Sequence, residues 1–439
     1  MGAEKPRQIA VRVLRRHAGG AGWLEEVLET EPARSALATP DRALLQELCF
    51  GVVRWQATLD WLIARKTEGR TQNTVLQILI RLGLYQLFWL DRIPDHAAVH
   101  ETVQMARDFG FGAKSGFVNA LLRGCLRERD KLERELEALK SSEPHVGWSH
   151  PQWLCTRWEQ RWGAEKLRAL LDWNNTPPPV FIRVNTLKTT PEKLAKQFAQ
   201  EGVLFTPRAF DWCPPDILFE LRGHPPLASL PSFQQGSFYV QDPSTLLAVE
   251  ALNPQPGESV LDFCAAPGGK TTLIAQRMQN RGLVQAHDTD KGRRKLIQDN
   301  CDRLGVTCVR IEENAPAGGS APPCRVQEVA APFDRILIDA PCSNTGVMRR
   351  RVDLRWRIQS SEIDRLSRLQ LELLRQAAPL LKPGGTLVYG TCSLEPEENG
   401  HVVREFLAGQ REFRFDSERV LLPFADAVDG AYVAKLLRG

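Results

Sequence analysis

Two short runs in the sequence put a thiol where a reaction could use it. Ile338-Asp339-Ala340-Pro341-Cys342-Ser343 and Gly390-Thr391-Cys392-Ser393 each follow an apolar, β-rich stretch, Arg335 to Ile338 in one case and Thr386 to Tyr389 in the other. Such runs, flanked by Pro or Gly, read as buried parallel strands. Open α/β sheets hold ligands just outside the carboxyl ends of their strands, so both thiols would face one cleft. A cysteine at a strand end is more often packing than chemistry, and that reading covers Cys49, Cys125, Cys155, Cys213, Cys301, Cys308 and Cys324. It gives no reason for the Asp and Pro that flank Cys342.

The stretch from Val260 to Thr272 runs from a strand through a Gly-rich turn into a helix. The turn lets backbone approach a ligand closely, and the helix start offers unpaired N–H groups. Gly269-Lys270-Thr271 looks like the end of a phosphate-binding P-loop, but that motif needs a glycine where Cys264 stands. A dinucleotide turn fails as well, because Gly268 and Gly269 are adjacent. A nucleoside ligand survives. Asp288 ends the next strand about 20 residues past the glycines, where an acidic side chain reaches ribose hydroxyls, and S-adenosylmethionine fits. Helix capping by Asp288 or Asp290 is an equally common explanation for an acid at that place.

Holding these residues requires a sheet, and the chain from about 240 onward alternates strands and helices: Ser259 to Phe263, a helix from Lys270, Leu283 to His287, a helix from Asp290, Val309 to Ile311, then the two cysteine strands. That alternation implies a doubly wound parallel sheet. Residues 1 to about 140 instead show helical spacing throughout, in Asp41 to Ala64, Val75 to Leu90, Ala97 to Phe109 and Gly116 to Leu126. Lys140 to Gly147 reads as a linker. A Trp-rich helix from Pro151 to Trp173, a strand Val180 to Val184 and a helix Pro191 to Gln200 make a small α/β subdomain. Three domains are expected: 1–145 all-α, 146–235 small α/β, and 236–439 carrying the cleft. The segment between Asn314 and Pro323, rich in Ala, Pro and Gly, is expected to be a mobile surface loop.

The composition sets bounds. The chain has 439 residues, 43% of them hydrophobic, and a net charge of only +4, so global charge does not announce a nucleic-acid partner. No segment approaches the roughly 20 apolar residues of a membrane span and the first residues lack a signal-peptide core; a cytoplasmic protein is expected. Ten cysteines without a Cys-x-x-Cys pair argue against a disulfide framework and a zinc ribbon. His96 and His100 lack the intervening Glu of a zincin helix, so no metal is expected.

Taken together, these motifs resemble the RNA 5-methylcytosine methyltransferases. Cys264 to Lys270 is similar to their cofactor loop, and Asp339 to Ser343 and Thr391 to Ser393 to their two cysteine motifs. The likeness extends to Gln241-Asp242-Pro243-Ser244, to Glu395-Pro396-Glu397-Glu398-Asn399, and to Asp429-Gly430 with Tyr432. The helical start resembles the RNA-binding NusB domain, and the whole resembles the bacterial 16S rRNA cytosine methyltransferases of the Fmu/Sun type. The resemblance implies an all-α NusB-like domain, a small α/β subdomain and a Rossmann-like class I methyltransferase α/β domain. It implies S-adenosyl-L-methionine as cofactor and cytosine 967 of 16S rRNA as target.

Carbon 5 of cytosine is too poor a nucleophile to take a methyl group directly, so a thiolate must first add to carbon 6. Afterwards the proton on carbon 5 must leave, and a second group can assist. The resemblance makes Cys392 the nucleophile and Cys342 the group assisting release. Asp339 would hydrogen-bond the amino edge or N3 of the ring, and Lys270 would contact either the base or the cysteine site. Cys264, Ala265, Ala266, Pro267, Gly268, Gly269, Lys270, Asp288 and Asp339 would hold the cofactor. The family's third strand is usually followed by an Asp near the adenine; here Glu313 or Asn314 stands there.

The target base must be flipped or already unpaired. Arg183, Lys188 and the cluster Arg349-Arg350-Arg351, followed by Arg355, Trp356 and Arg357, would contact phosphates and stack a base, although charge runs are usually solvated loops. A monomer is expected. Two other readings stay open: a tRNA cytosine methyltransferase, and a non-catalytic RNA-binding factor. The NusB-like start argues against the first, the intact thiols and glycine turn against the second.

Overall fold

The structure is a computed structural model that describes residues 5–34, 37–311 and 332–439. Glu313 and the loop expected at 314–323 lie outside the described residues. The chain forms two compact units: Met1–Thr176 with Met348–Arg357, and Pro177–Val347 with Ile358–Gly439.

The first unit is helical. Its central helix, Thr74–Trp89, is apolar on nearly every side and buried from Leu76 to Leu87 except at Gln77 and Arg81; a helix of this kind can only be a core element. Asn73 starts it by accepting the Val75 N–H at 3.0 Å. Around it pack Pro6–Ala18, Thr39–Arg54, Gln56–Thr67, Asp95–Asp108 and Ser115–Arg127, which bury Ile9, Val13, Leu48, Leu62 and Leu122 with Leu79 and Leu82. The single helix expected over 41–64 is broken at Trp55. The one expected over 151–173 is broken at Gly163, whose φ of +82° no helix tolerates. The expected linker at 140–147 is also helical: Arg129–Ser142 runs into a turn, Pro144–Gly147, that Pro144 starts rather than breaks.

Met348–Arg357 belongs to this unit, although in sequence it lies between β-strands of the other, and it corrects the reading of the arginine cluster as an RNA surface. Val352 is 1% exposed and belongs to the helical core. Arg349 is buried, with its guanidinium 3.8 Å from the centre of the Trp173 ring. Arg355 is fully buried and donates to the carbonyls of Arg54, Ser149 and Asn174 and to Asn175 Oδ1 at 2.8–3.2 Å. Burial pulls it down to about 9, and it remains a cation at neutral pH. Trp356 donates its indole N–H to Val53 O at 2.7 Å, and Arg357 lies over Trp23. Arg351 is exposed. Arg355→Ala leaves buried acceptors unpaired and should cost about 3 kcal/mol or more. Denaturant unfolding checks this, and a loss below about 1 kcal/mol would show that the contacts do not hold the segment.

The second unit carries two sheets. The smaller has the order β2-β3-β1-β4 and is antiparallel throughout, with β1 Val180–Val184, β2 Leu204–Arg208, β3 Leu218–Gly223 and β4 Phe238–Val240. The helix Pro191–Gln200 buries Leu194 and Phe198 among its residues Ile182, Val184, Phe219 and Phe238. The larger sheet has the order β10-β11-β9-β8-β5-β6-β7, with β5 Ser259–Asp262, β6 Leu283–Ala286, β7 Val309–Ile311, β8 Phe333–Asp339, β9 Leu381–Thr391, β10 Phe413–Leu421 and β11 Ala431–Arg438. Strands β7, β6, β5, β8 and β9 are parallel, as expected. The hairpin β10–β11 adds two antiparallel strands at the β9 edge.

Arg183 on β1 corrects a second expected phosphate contact. It is 1% exposed and donates to Gln241 Oε1 at 2.9 Å, Gly269 O at 3.1 Å and Thr272 Oγ1 at 3.2 Å, so it ties the small sheet to the start of a helix of the large one. Lys188 is exposed, but its ammonium caps the carbonyls of Gln235 and Arg303 at 2.9 and 2.7 Å.

Candidate active site

The strand order sets the cleft. After β5 the chain first extends the sheet through β6 and β7, then returns to the other side of β5 as β8 and β9. The carboxyl ends of β5 and β8 therefore flank the point where the order reverses, which is where such sheets bind ligands. The candidate residues that the structure describes lie at or follow the carboxyl ends of β5, β8 and their neighbours β6 and β9.

The Gly-rich turn leaves β5 at Asp262 and enters the helix Gly269–Arg277. Gly268 stands at φ +100°, and a Cβ there would lie 3.2 Å from Ile297 Cα, so only glycine fits. The turn is pinned from β6: Ala265 N donates to His287 O at 2.9 Å and Ala266 N to Asp288 Oδ2 at 3.2 Å. Asp288 is 5% exposed; it also accepts from Asp290 N at 3.1 Å and pairs with Arg293 at 3.4 Å. Capping of the helix Lys291–Leu304 falls to Asp290, which accepts Arg293 N at 2.8 Å.

The two thiols meet. Asp339 of β8 pairs in register with Gly390 of β9, and Ala340 N donates to Gly390 O at 2.9 Å, so the loops that follow run side by side. Cys342 Sγ and Cys392 Sγ are 3.4 Å apart. Cys342 is buried and Cys392 half-buried. Cys392 donates to Asn344 Oδ1 at 3.1 Å, while Asn344, at φ +58°, turns back to donate to Cys342 O at 2.6 Å. The Cys342 thiol is pushed well up, first by its hydrogen bond with Cys392, then by burial and by the charges of Cys392 and Glu398.

Lys270, in the first turn of its helix, sets its ammonium 2.5 Å from Asp339 Oδ2, with side chains 16% and 36% exposed. Burial opposes its charge, but Asp339, Cys392 and Asp262 together raise its pKa. It stays a cation beside the thiol pair.

Some residues here were not singled out from sequence. Asn344 is one; its signal is an Asn two residues past a cysteine, a residue type that tolerates positive φ. Gly346 is another: its N–H donates to Cys392 O and its carbonyl accepts Gly430 N, both at 2.9 Å, and a Cβ at Gly346 would lie 2.8 Å from Gly430 Cα. The Asp429-Gly430 motif thus seats the loop after Cys392. Asp242 braces the same region, accepting Asp429 N at 3.4 Å as well as Ser244 N at 3.0 Å, while Gln241 accepts from Arg183.

A mostly parallel seven-stranded sheet with a terminal antiparallel hairpin and a glycine turn at the strand-order reversal is an α/β methyltransferase domain. Known proteins agree. The family description "16S rRNA methyltransferase RsmB/F" matches residues 249–437, the NusB family residues 4–127, and the ferredoxin-like domain of RsmF/B-like methyltransferases residues 150–214. Ribosomal RNA small subunit methyltransferase B of Cronobacter sakazakii is 38% identical over 437 residues, covering 94% of this chain and 96% of its own. The Escherichia coli protein of that name is 38% identical, covering 93% of each. The crystal structure of a methyltransferase homolog from Pyrococcus horikoshii is 31% identical, with a TM-score of 0.58 over 67% of this chain and 97% of its own.

The chain belongs to the RsmB/F family of 16S rRNA methyltransferases, and it is an rRNA methyltransferase. Among the described residues no helix is long and apolar enough to cross a membrane, and no three His, Cys, Asp or Glu side chains group as a metal site.

Proposed function

We propose that the protein methylates carbon 5 of a cytosine in 16S rRNA from S-adenosyl-L-methionine, through a covalent bond between Cys392 and carbon 6. By resemblance the target is cytosine 967. The observation that carries this reading is the pair of thiols 3.4 Å apart at the ends of adjacent parallel strands. Packing needs no such pair, whereas two adjacent ring carbons require two groups at this spacing.

The residues around the turn fit the cofactor. Asp262, Asp288 and Asp339 close β5, β6 and β8 or follow them, with Lys270 between. Their negative charge suits a ligand with a sulfonium and an ammonium group, and the N–H groups opening the helix Gly269–Arg277 suit its carboxylate. Bound there, S-adenosyl-L-methionine supplies an electrophilic methyl group. Asp288 would take the ribose hydroxyls. The adenine contact assigned to Glu313 lies outside the described residues.

Cys392 is the more accessible thiol, and it gives up its proton to water before it attacks. Its sulfur adds to carbon 6, and carbon 5 gains the electron pair that takes the methyl group. Asp339, held by Lys270 and partly exposed, would hydrogen-bond the ring's amino edge or N3. Once Cys392 is bonded to carbon, its hydrogen bond no longer holds the Cys342 proton, which passes to water. The Cys342 thiolate then takes the proton from carbon 5, the carbon–sulfur bond breaks, and the ring double bond returns.

The direct test is methyl transfer from labelled S-adenosyl-L-methionine to unmodified 16S rRNA and to tRNA, with the label mapped. The proposal expects 5-methylcytosine in 16S rRNA. Label in tRNA alone keeps the chemistry and overturns the substrate; label in neither overturns the proposal.

A pH dependence follows from Asp262. Burial pushes its carboxyl up to about 7; a hydrogen bond from Thr271 opposes this, and Asp339 and Asp288 add to it. Below that pH the carboxyl is neutral, and above it a negative charge appears beneath the turn. Affinity for a cationic cofactor should therefore rise about fivefold from pH 6 to pH 8, and Asp262→Asn should flatten the change. Titration calorimetry of both proteins decides it; an equal slope in the variant would assign the change to another group.

A further inference from the structure

One buried carboxylate touches both cysteine loops. Glu398, fully buried, accepts the Ser343 N–H on Oε1 at 2.8 Å and the Ser343 hydroxyl on Oε2. It accepts the Ser393 hydroxyl on Oε2 at 2.5 Å. The two hydroxyls are themselves 3.0 Å apart. Ser343 and Ser393 each directly follow a reactive cysteine. Gln370 completes the set, donating to Glu398 Oε1 at 3.1 Å and to Pro341 O at 2.9 Å.

The main chain carries the same connection. Tyr389, on β9 just before the Cys392 loop, donates its hydroxyl to Glu398 O at 2.5 Å. Asn399 accepts the Thr391 hydroxyl at 2.6 Å and donates to Ser393 O at 2.9 Å. Glu398 and Asn399 thus hold the residues on both sides of Cys392, and Glu398 also holds the residue after Cys342.

We propose that Glu398 is a positioning residue for methyl transfer: by binding the serine after each cysteine, it fixes the distance and direction between the two thiols. This rests on the reading that both cysteines act on the target base. Burying a charged pair or network is a poor way to gain stability, since well-packed apolar residues often do as well or better. What a carboxylate adds is directional acceptance of several donors at once, which apolar packing cannot supply. Here the donors come from the loop of Cys342, the loop of Cys392 and the helix Ser360–Ala377 packed behind them. Burial raises the Glu398 pKa while the hydrogen bonds from Ser343, Ser393 and Gln370 oppose the rise. Addition to carbon 6 needs one thiol, whereas release needs both aimed at adjacent carbons. Loss of Glu398 should therefore slow release most.

The test is single-turnover and steady-state methylation of 16S rRNA by Glu398→Gln, with the unaltered protein and Cys342→Ala alongside. Glutamine keeps one acceptor oxygen and the shape but loses the second acceptor. A misplacement of about 1 Å can cost about a hundredfold in rate. The expected result is a fall in kcat of about that size, KM for RNA and Kd for cofactor within about twofold, and a protein–RNA adduct that outlives the unaltered protein's. A rate within about threefold of the unaltered protein, with no persistent adduct, would overturn the inference. So would a loss confined to KM. If Cys342→Ala also traps no adduct, the two-cysteine reading itself has failed, and that outcome is separate. Should Glu398→Gln not fold, the double variant Ser343→Ala/Ser393→Ala keeps the carboxylate with Gln370 and the Ser343 N–H. It should show the same split between kcat and KM, and normal kcat there would overturn the proposal.

Discussion

Cys392→Ala should lower methyl transfer to rRNA by about 10⁴-fold or more while leaving the fold and cofactor affinity unchanged. Removing a nucleophile from a covalent mechanism has effects of that order, because carbon 5 has no electron pair to offer until a thiolate sits on carbon 6. Cys342 is only 3.4 Å away but is a poor substitute. It is buried, its thiol is pushed well up, and its loop is held by Glu398 through Ser343. The substitution also removes the hydrogen bond that does most to raise the Cys342 pKa. Alkylation of Cys342 should accordingly begin at lower pH in the variant, because the hydrogen bond that opposes loss of its proton is gone. Transfer within about tenfold of the unaltered protein would show that Cys392 is not the nucleophile.

Cys342→Ala should separate transfer from release. Addition of Cys392 to carbon 6 does not use the second thiol, so each protein molecule should transfer one methyl group in a rapid first phase. Turnover should then fall by about 10³-fold, near the contribution of a well-placed general base. Rapid-quench kinetics with labelled cofactor reads both phases. A normal steady-state rate would remove Cys342 from the mechanism.

The parts of the site that follow from local pattern were legible in the sequence. A strand, a glycine turn and a helix start are written in consecutive residues, and so are the two cysteine loops. That the thiols face one another follows from β8 and β9 being neighbours, which the resemblance implied and the register of Asp339 with Gly390 accounts for. What stayed hidden was long-range. Arg355 reads as surface charge because its partners are carbonyls of Arg54, Ser149 and Asn174, and a backbone acceptor leaves no mark on the sequence. Arg183 misleads in the same way, through Gly269 O. Glu398 stood in a motif without a role because Ser343 is 55 residues away and Gln370 is 28. Strand β10 escaped because Arg414 to Arg419 is largely exposed and charged, so no apolar alternation marks an edge strand.

The central claim is a covalent bond between Cys392 and the target base. Its most direct measurement is intact mass, under denaturing conditions, of Cys342→Ala incubated with S-adenosyl-L-methionine and a 16S rRNA fragment. A methylated RNA adduct is expected on Cys342→Ala, and none on the double variant Cys342→Ala/Cys392→Ala. An adduct that persists in the double variant, or none on Cys342→Ala while its RNA is still methylated, would contradict the account.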